Sequence, residues 1–127
     1  MKKTLIFTAT YNEIKNIEEL ILKIKKNCEE ADILIIDDNS PDGTGQLLKI
    51  KEQRDYKLKV VIRPEKLGLD TAHKIAYEYA ISNNYDYLIT MDADLSHNPL
   101  EIPNFLKFID KNDFVLGSRY MIGGKNK

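Results

Sequence analysis

Short apolar or β-branched runs alternate along this chain with stretches whose apolar residues recur at helical spacing. Thr4–Thr8, Ile33–Asp37, Leu58–Arg63, Tyr87–Met91 and Phe114–Gly117 have the length and composition of strands. Within the second run, Ile33, Leu34, Ile35 and Ile36 are apolar on both faces, which suits a central strand covered by helices on each side. Between the runs, Ile17, Leu20, Ile21, Ile24 and Cys28 share one helical face, and Asn16 with Glu19 is spaced as a capping box. Ala72, Ile75, Ala76, Tyr79 and Ala80 keep the same period. Leu47, Leu48 and Ile50 mark a shorter helix, and Pro103 suits the first turn of another that carries Phe105, Leu106 and Ile109. The alternation predicts one α/β domain, a mostly parallel central sheet flanked by helices.

Composition narrows the function classes. The chain has 127 residues, 43% hydrophobic and 31% charged, ordinary values for a globular domain. Nineteen basic against twenty acidic side chains leave a net charge of −1, which argues against a general nucleic-acid binder. Cys28 is the only cysteine, so there is no internal disulfide and no cysteine-only zinc site, and a reducing, cytoplasmic setting is the simpler expectation. No apolar run has the length of a membrane span, and the run Leu5-Ile6-Phe7 is too short for a signal peptide.

Ligands of open α/β sheets collect beyond the carboxyl ends of the strands, and there the unusual residues fall. Thr10-Tyr11-Asn12-Glu13 follows the first strand, and Asp37-Asp38-Asn39-Ser40-Pro41-Asp42-Gly43-Thr44 closes the second. Asp92-Ala93-Asp94-Leu95-Ser96-His97 follows the fourth, and Gly117-Ser118-Arg119-Tyr120, then Gly123-Gly124, the fifth. Two carboxylates spaced i, i+2 point to the same side if the strand stays extended, and they repel unless a cation lies between them. Asp92 and Asp94 therefore suit a hard ion such as Mg²⁺ or Mn²⁺ beside substrate phosphates, or else a solvated pair that caps the next turn. Asp37 and Asp38 suit nucleobase or ribose donors, or simple turn chemistry in a string rich in turn residues. Tyr11 can stack on a base while Glu13 accepts a hydrogen bond, or both can lead into a helix. Arg119 fits bidentate phosphate contact or a solvated surface. His73 lies off the core stripe of its helix and reads as a surface residue; His97 is a loop residue within reach of phosphate or metal; Cys28 reads as core. Gly43-Thr44-Gly45 is not a dinucleotide fingerprint, because Leu48 stands where its third glycine belongs.

Taken in order, T-Y-N-E, I-I-D-D-N-S-P-D-G-T, K-L-G-L (Lys66–Leu69), M-D-A-D-L-S-H and G-S-R-Y resemble the dolichol-phosphate (polyprenol-phosphate) mannosyltransferases, inverting enzymes of the GT-A type in glycosyltransferase family 2. The resemblance implies a Rossmann-like GT-A fold, a nucleotide-sugar donor such as GDP-mannose, and a polyprenyl phosphate acceptor at the cytoplasmic membrane face. It implies that Thr10, Tyr11, Glu13 and Asp38 hold the nucleoside, with Asp37 beside them. Asp92, Asp94 and Ser96 would hold Mg²⁺ or Mn²⁺, and Asp94 and Arg119 would serve catalysis, Arg119 on a phosphate. Ala9 replaces a family proline, Asp70 stands at a family glycine, and His73 and Ala76 are further departures. The added carboxylate at Asp70 would repel a diphosphate unless metal, Arg63 or Lys66 screens it.

Members of that family continue well beyond G-S-R-Y, so the chain is expected to be an N-terminal, donor-binding half. On that view it lacks the acceptor-binding portion, works with a C-terminal or membrane-anchoring partner chain, and alone transfers little mannose. Two other readings compete. A non-catalytic nucleotide-sugar-binding module would bind without transfer. A phosphatase of the haloacid-dehalogenase type also places D-x-D after a parallel strand, but Leu95-Ser96 follows here where that class has Gly-Thr, and no room remains for its downstream lysine.

Overall fold

The computed structural model describes residues 3–65, 67–92, 114–116 and 121–124, with the side chains of residues 69, 92, 114–116 and 121–124 left aside. The elements run β1 (Thr4–Thr10), α1 (Ile17–Asn27), β2 (Asp32–Asp37), α2 (Thr44–Glu52), β3 (Leu58–Ile62), α3 (Leu69–Ser82), β4 (Tyr87–Asp92), β5 (Phe114–Leu116) and β6 (Met121–Gly124). The sheet order is β3-β2-β1-β4-β6-β5. β3, β2, β1 and β4 are parallel, and β6 runs antiparallel to both β4 and β5. The expected helix beyond Pro103 lies outside the described residues.

Alternation along the strands divides the core in two. Ile6, Ile33, Ile35, Val60, Ile89 and Met91 face α1 and Leu48 of α2. Leu5, Phe7, Leu34, Ile36 and Leu88 face α3. Period-two side-chain direction sends neighbours on β2 to opposite layers, so a run of four apolar residues is needed to bury both faces. On α3 the buried stripe is Ala72, Ala76 and Ala80, small residues four apart that line one face of the helix. Cys28 lies in the first layer, as its place on the α1 face implied, and burial, then the nearby Glu30 carboxylate, raise its thiol pKa.

Two local expectations change. The capping box at Asn16 does not form, since its side chain makes no cap hydrogen bond. The Glu13 carbonyl accepts from the Asn16 and Ile17 N–H groups instead, at 3.0 and 2.9 Å, and Asn16 Nδ2 donates to Glu13 Oε1 at 3.3 Å. Gly123 and Gly124, read from sequence as loop, end β6, where they pair with Leu88 and Tyr87. Glycine has low strand propensity, and pairing with β4 overrides it.

The outer edge of β3 is covered from α2. The Val60 N–H donates to Glu52 Oε2 at 2.7 Å, and Lys49 Nζ donates to the Val60 carbonyl at 3.0 Å. Burial alone would raise the Glu52 carboxyl; the Val60 N–H and the Lys49 ammonium outweigh it and hold the pKa below its ordinary value. At the amino ends of the strands, Lys3 donates from Nζ to the Asn83 carbonyl at 2.7 Å and lies 4.5 Å from the Tyr85 ring centre, while the Tyr85 hydroxyl donates to Asp32.

Candidate functional site

The chain order along the sheet reverses between β1 and β4. Each parallel neighbour is added on one side from β1 to β3 and then on the other side at β4. At such a switch point the loops leave in opposite directions and open a crevice beyond the carboxyl ends. Thr10 ends β1 opposite Asp37 at the end of β2, while Asp92 ends β4 opposite Ala9. The candidate residues of three loops thus start from one rim.

Asp37 is fully buried and works inward. Its Oδ1 accepts from Thr10 Oγ1 and Ser40 Oγ, both at 2.6 Å, and its Oδ2 accepts the Ser40 N–H at 3.0 Å. Gly45 lies so close that a Cβ there would come within 2.9 Å of Asp37 Oδ2, which excludes larger residues without a shift. Thr10, expected in the loop, is the last residue of β1 and is itself buried. This pair ties the first two strands to the turn beneath the rim.

The long turn string also braces the loop before it. Ser40 Oγ accepts the Asn12 N–H at 2.8 Å, Thr44 Oγ1 accepts the Glu13 N–H at 3.1 Å, and Asp42 Oδ2 accepts the Ile14 N–H at 3.1 Å. In return Asn12 Oδ1 accepts the Asp42 N–H at 3.3 Å. Asn12 holds φ 59°, in the left-handed region, so that three successive N–H groups can turn toward the neighbouring loop. Burial opposes ionisation of Asp42 slightly, but hydrogen bonds from the Thr44 hydroxyl, the Thr44 N–H and the Ile14 N–H hold its pKa below the ordinary value. Above this brace Tyr11 is 39% exposed and Glu13 is half-buried.

Asp38 forms a buried ion pair that the sequence did not announce. Arg63, just after β3, donates from Nε to Asp38 Oδ1 at 2.5 Å and from Nη2 to Oδ2 at 2.8 Å. Arg63 also reaches Thr71 Oγ1 at 2.6 Å and the Gly68 carbonyl at 3.0 Å, so one guanidinium joins the ends of β2 and β3 to the start of α3. The Arg63 fork is thus committed to Asp38, while Asp70 is exposed in the first turn of α3. His73 is half-buried rather than on the surface, its ring edge-on to Phe7 at 5.4 Å. Asp94, Ser96, His97, Arg119 and Lys66 lie outside the described residues, as does the side chain of Asp92. Leu116 and Met121, which flank the Arg119 segment, pair across β5 and β6. No group of three metal-binding side chains occurs among the described residues.

The profile of glycosyl transferase family 2 matches residues 5–127. The chain belongs to glycosyltransferase family 2. This family 2 chain is 36% identical over 123 residues to the undecaprenyl-phosphate mannosyltransferase of Micrococcus luteus, covering 97% of this chain and 51% of that protein. It is also 36% identical over 125 residues to the polyprenol monophosphomannose synthase of Mycolicibacterium smegmatis, covering 97% of this chain and 47% of that protein. The chain spans about half the length of these curated relatives. Among solved structures, S. aureus TarS 1-349 superposes with a TM-score of 0.70 at 26% identity, over 86% of this chain and 32% of that one. The mannosyltransferase PcManGT from Pyrobaculum calidifontis, solved with GDP-Man and Mn²⁺, gives a TM-score of 0.69 at 17% identity, over 98% of this chain and 45% of that one. The fold is GT-A, and its parallel four-strand part is the sheet described above.

Proposed function

We propose that this chain supplies the donor-binding part of a metal-dependent, inverting glycosyltransferase that passes mannose from GDP-mannose to a polyprenyl phosphate. The observation that carries this reading is the 36% identity, across nearly the whole chain, to two polyprenol-phosphate mannosyltransferases. The rim supports it: Tyr11, Glu13 and Asp38 stand beyond the strands on either side of the β1–β2 junction, where a nucleoside can lie between them. Thr10 and Asp37 hold that junction from beneath.

Asp92, Asp94 and Ser96 offer two carboxylates and a hydroxyl, an all-oxygen donor set that suits Mg²⁺ or Mn²⁺. Asp92 ends β4 next to β1, where a donor diphosphate would follow the nucleoside. Such an ion, when bound, neutralises charge on a departing diphosphate. Within that donor set Asp94 is the carboxylate we assign to catalysis, and Arg119 is assigned to a phosphate of donor or acceptor. In the transfer an acceptor phosphate oxygen bonds to the anomeric carbon as the bond from that carbon to the diphosphate breaks, with inversion. The acceptor needs little help from a base, since the second pKa of a phosphomonoester is about 6. The chain's own task is to position the donor and exclude misalignment.

The relatives are about twice as long, and we assign acceptor contacts and membrane attachment to a C-terminal portion or partner chain, with this domain peripheral at the cytoplasmic face. No helix among the described residues is long and apolar enough to cross a membrane. The test is calorimetric titration of GDP-mannose, with UDP-glucose as control, with and without Mn²⁺, on the chain and on Asp92→Asn/Asp94→Asn. Metal-dependent GDP-mannose binding, lost in the double variant, is the expected result. Binding that ignores metal and survives the double substitution would refute the metal site.

A further inference from the structure

Glu13 is held from three directions. Its carbonyl accepts the Asn16 and Ile17 N–H groups where α1 begins, its N–H donates to Thr44 Oγ1 at 3.1 Å, and its Oε1 accepts from Asn16 Nδ2 at 3.3 Å. Starting α1 requires only the first of these. The N–H of a half-buried loop residue can bond water instead, yet here it meets a side chain 31 residues further on. That side chain is itself oriented. Thr44 opens α2 and is fully buried, and a hydroxyl has one proton to give. Thr44 gives it to Asp42 Oδ1, which also accepts the Thr44 N–H at 2.9 Å, so the Thr44 oxygen meets Glu13 with a lone pair. Asp42 Oδ2 takes the next N–H along the loop, that of Ile14, at 3.1 Å.

Resting on the reading of Glu13 as a nucleoside contact, we propose that Thr44 is a positioning residue that acts through Glu13. With its N–H tied to α2 and its carbonyl tied to α1, the Glu13 backbone cannot rotate at either peptide without breaking a hydrogen bond. Its carboxylate is therefore set before a ligand arrives. A ligand met by a preset group does not have to order that group, and such ordering otherwise weakens binding. Thr44 does this with no ligand contact of its own. Its hydroxyl is the part that matters, and Asp42 fixes which way that hydroxyl points.

The experiment is calorimetric titration of GDP in Mn²⁺ buffer into the whole chain, Thr44→Val, Thr44→Ser, Glu13→Ala and the double variant Thr44→Val/Glu13→Ala, with a thermal melt of each. Valine keeps the shape of threonine without its hydroxyl, and serine keeps the hydroxyl. Glu13→Ala should weaken GDP about tenfold, the scale of one hydrogen bond to a charged group, and Thr44→Val about fivefold. Thr44→Ser should stay within about twofold of the unmodified chain. With Glu13→Ala already present, Thr44→Val should change the Kd less than about twofold, because the carboxylate it acts through is gone. A residue that only supports the fold would lower the melting temperature and weaken GDP equally in both backgrounds. That result would overturn the inference, as would full affinity in Thr44→Val or a fivefold loss in Thr44→Ser, and each leaves the nucleotide reading standing. Full affinity in Glu13→Ala would overturn the reading of Glu13, and no GDP binding by the unmodified chain would overturn the nucleotide reading; either removes this inference with it. Should Thr44→Val not fold, Asp42→Ala at an exposed position takes its place, with a loss of about threefold expected when Glu13 is present and none when it is absent.

Discussion

Asn12 shows how one side chain shapes the rim. Its φ of 59° turns the backbone so that the Asn12, Glu13 and Ile14 N–H groups meet Ser40, Thr44 and Asp42. A β-branched residue in the left-handed region costs about 1–2 kcal/mol. Asn12→Val should lower unfolding stability by that amount, measured by urea denaturation, while Asn12→Gly, free to adopt the same φ, should cost much less. The sequence made T-Y-N-E and D-N-S-P-D-G-T legible as loops with chemistry. What it left out was that part of the second string serves the first: Ser40, Asp42 and Thr44 are aimed at backbone of the neighbouring loop. Partners about 30 residues apart in sequence leave no local pattern, whereas a turn residue that bonds its own backbone does. The pairing of Arg63 with Asp38 escaped attention for the same reason, since the two residues follow different strands.

At the scale of elements, the alternating runs carried the four parallel strands and three helices, because burial on one or both faces writes a period into the chain. β6 left no such trace. Its sequence, Met121-Ile122-Gly123-Gly124, has two glycines, and it is held as a strand by pairing on both sides, with β4 and β5. β3 has a different problem, an open edge. Unpaired edge N–H and C=O groups invite another strand, and here Glu52 and Lys49 occupy those of Val60. Glu52→Ala should cost about 1 kcal/mol for the lost hydrogen bond to the Val60 N–H. It should also increase self-association at high concentration, readable by sedimentation. An unchanged monomer would show that the edge needs no cover.

At the scale of the whole molecule, three carboxyls among the described residues are held below their ordinary pKa by interactions that tie separate parts of the chain together. Glu52 bonds α2 to β3, and Asp42 bonds the two rim loops. Asp55 joins Lys25 of α1, at 2.6 Å, to the turn before β3. Burial opposes the shift at Asp55, but the Lys25 and Lys57 contacts outweigh it. A carboxyl with a depressed folded-state pKa stabilises the fold above its unfolded value and loses that contribution as pH falls through the folded value. Melting temperature should therefore hold steady near neutral pH and fall below about pH 4, the ordinary carboxyl range. Thermal melts from pH 7 to pH 3 check this, and a curve flat to pH 3 would show that these groups contribute little.

The Asp38–Arg63 pair also bears on how this chain can change over generations. Losing either partner alone strands the other as a buried charge, at roughly 3–5 kcal/mol, a large part of what holds a small domain folded. Losing both together, with apolar replacements of similar size, costs far less. Inheritance should therefore treat positions 38 and 63 as one unit. They would be kept together or replaced together, although 24 residues lie between them in the chain.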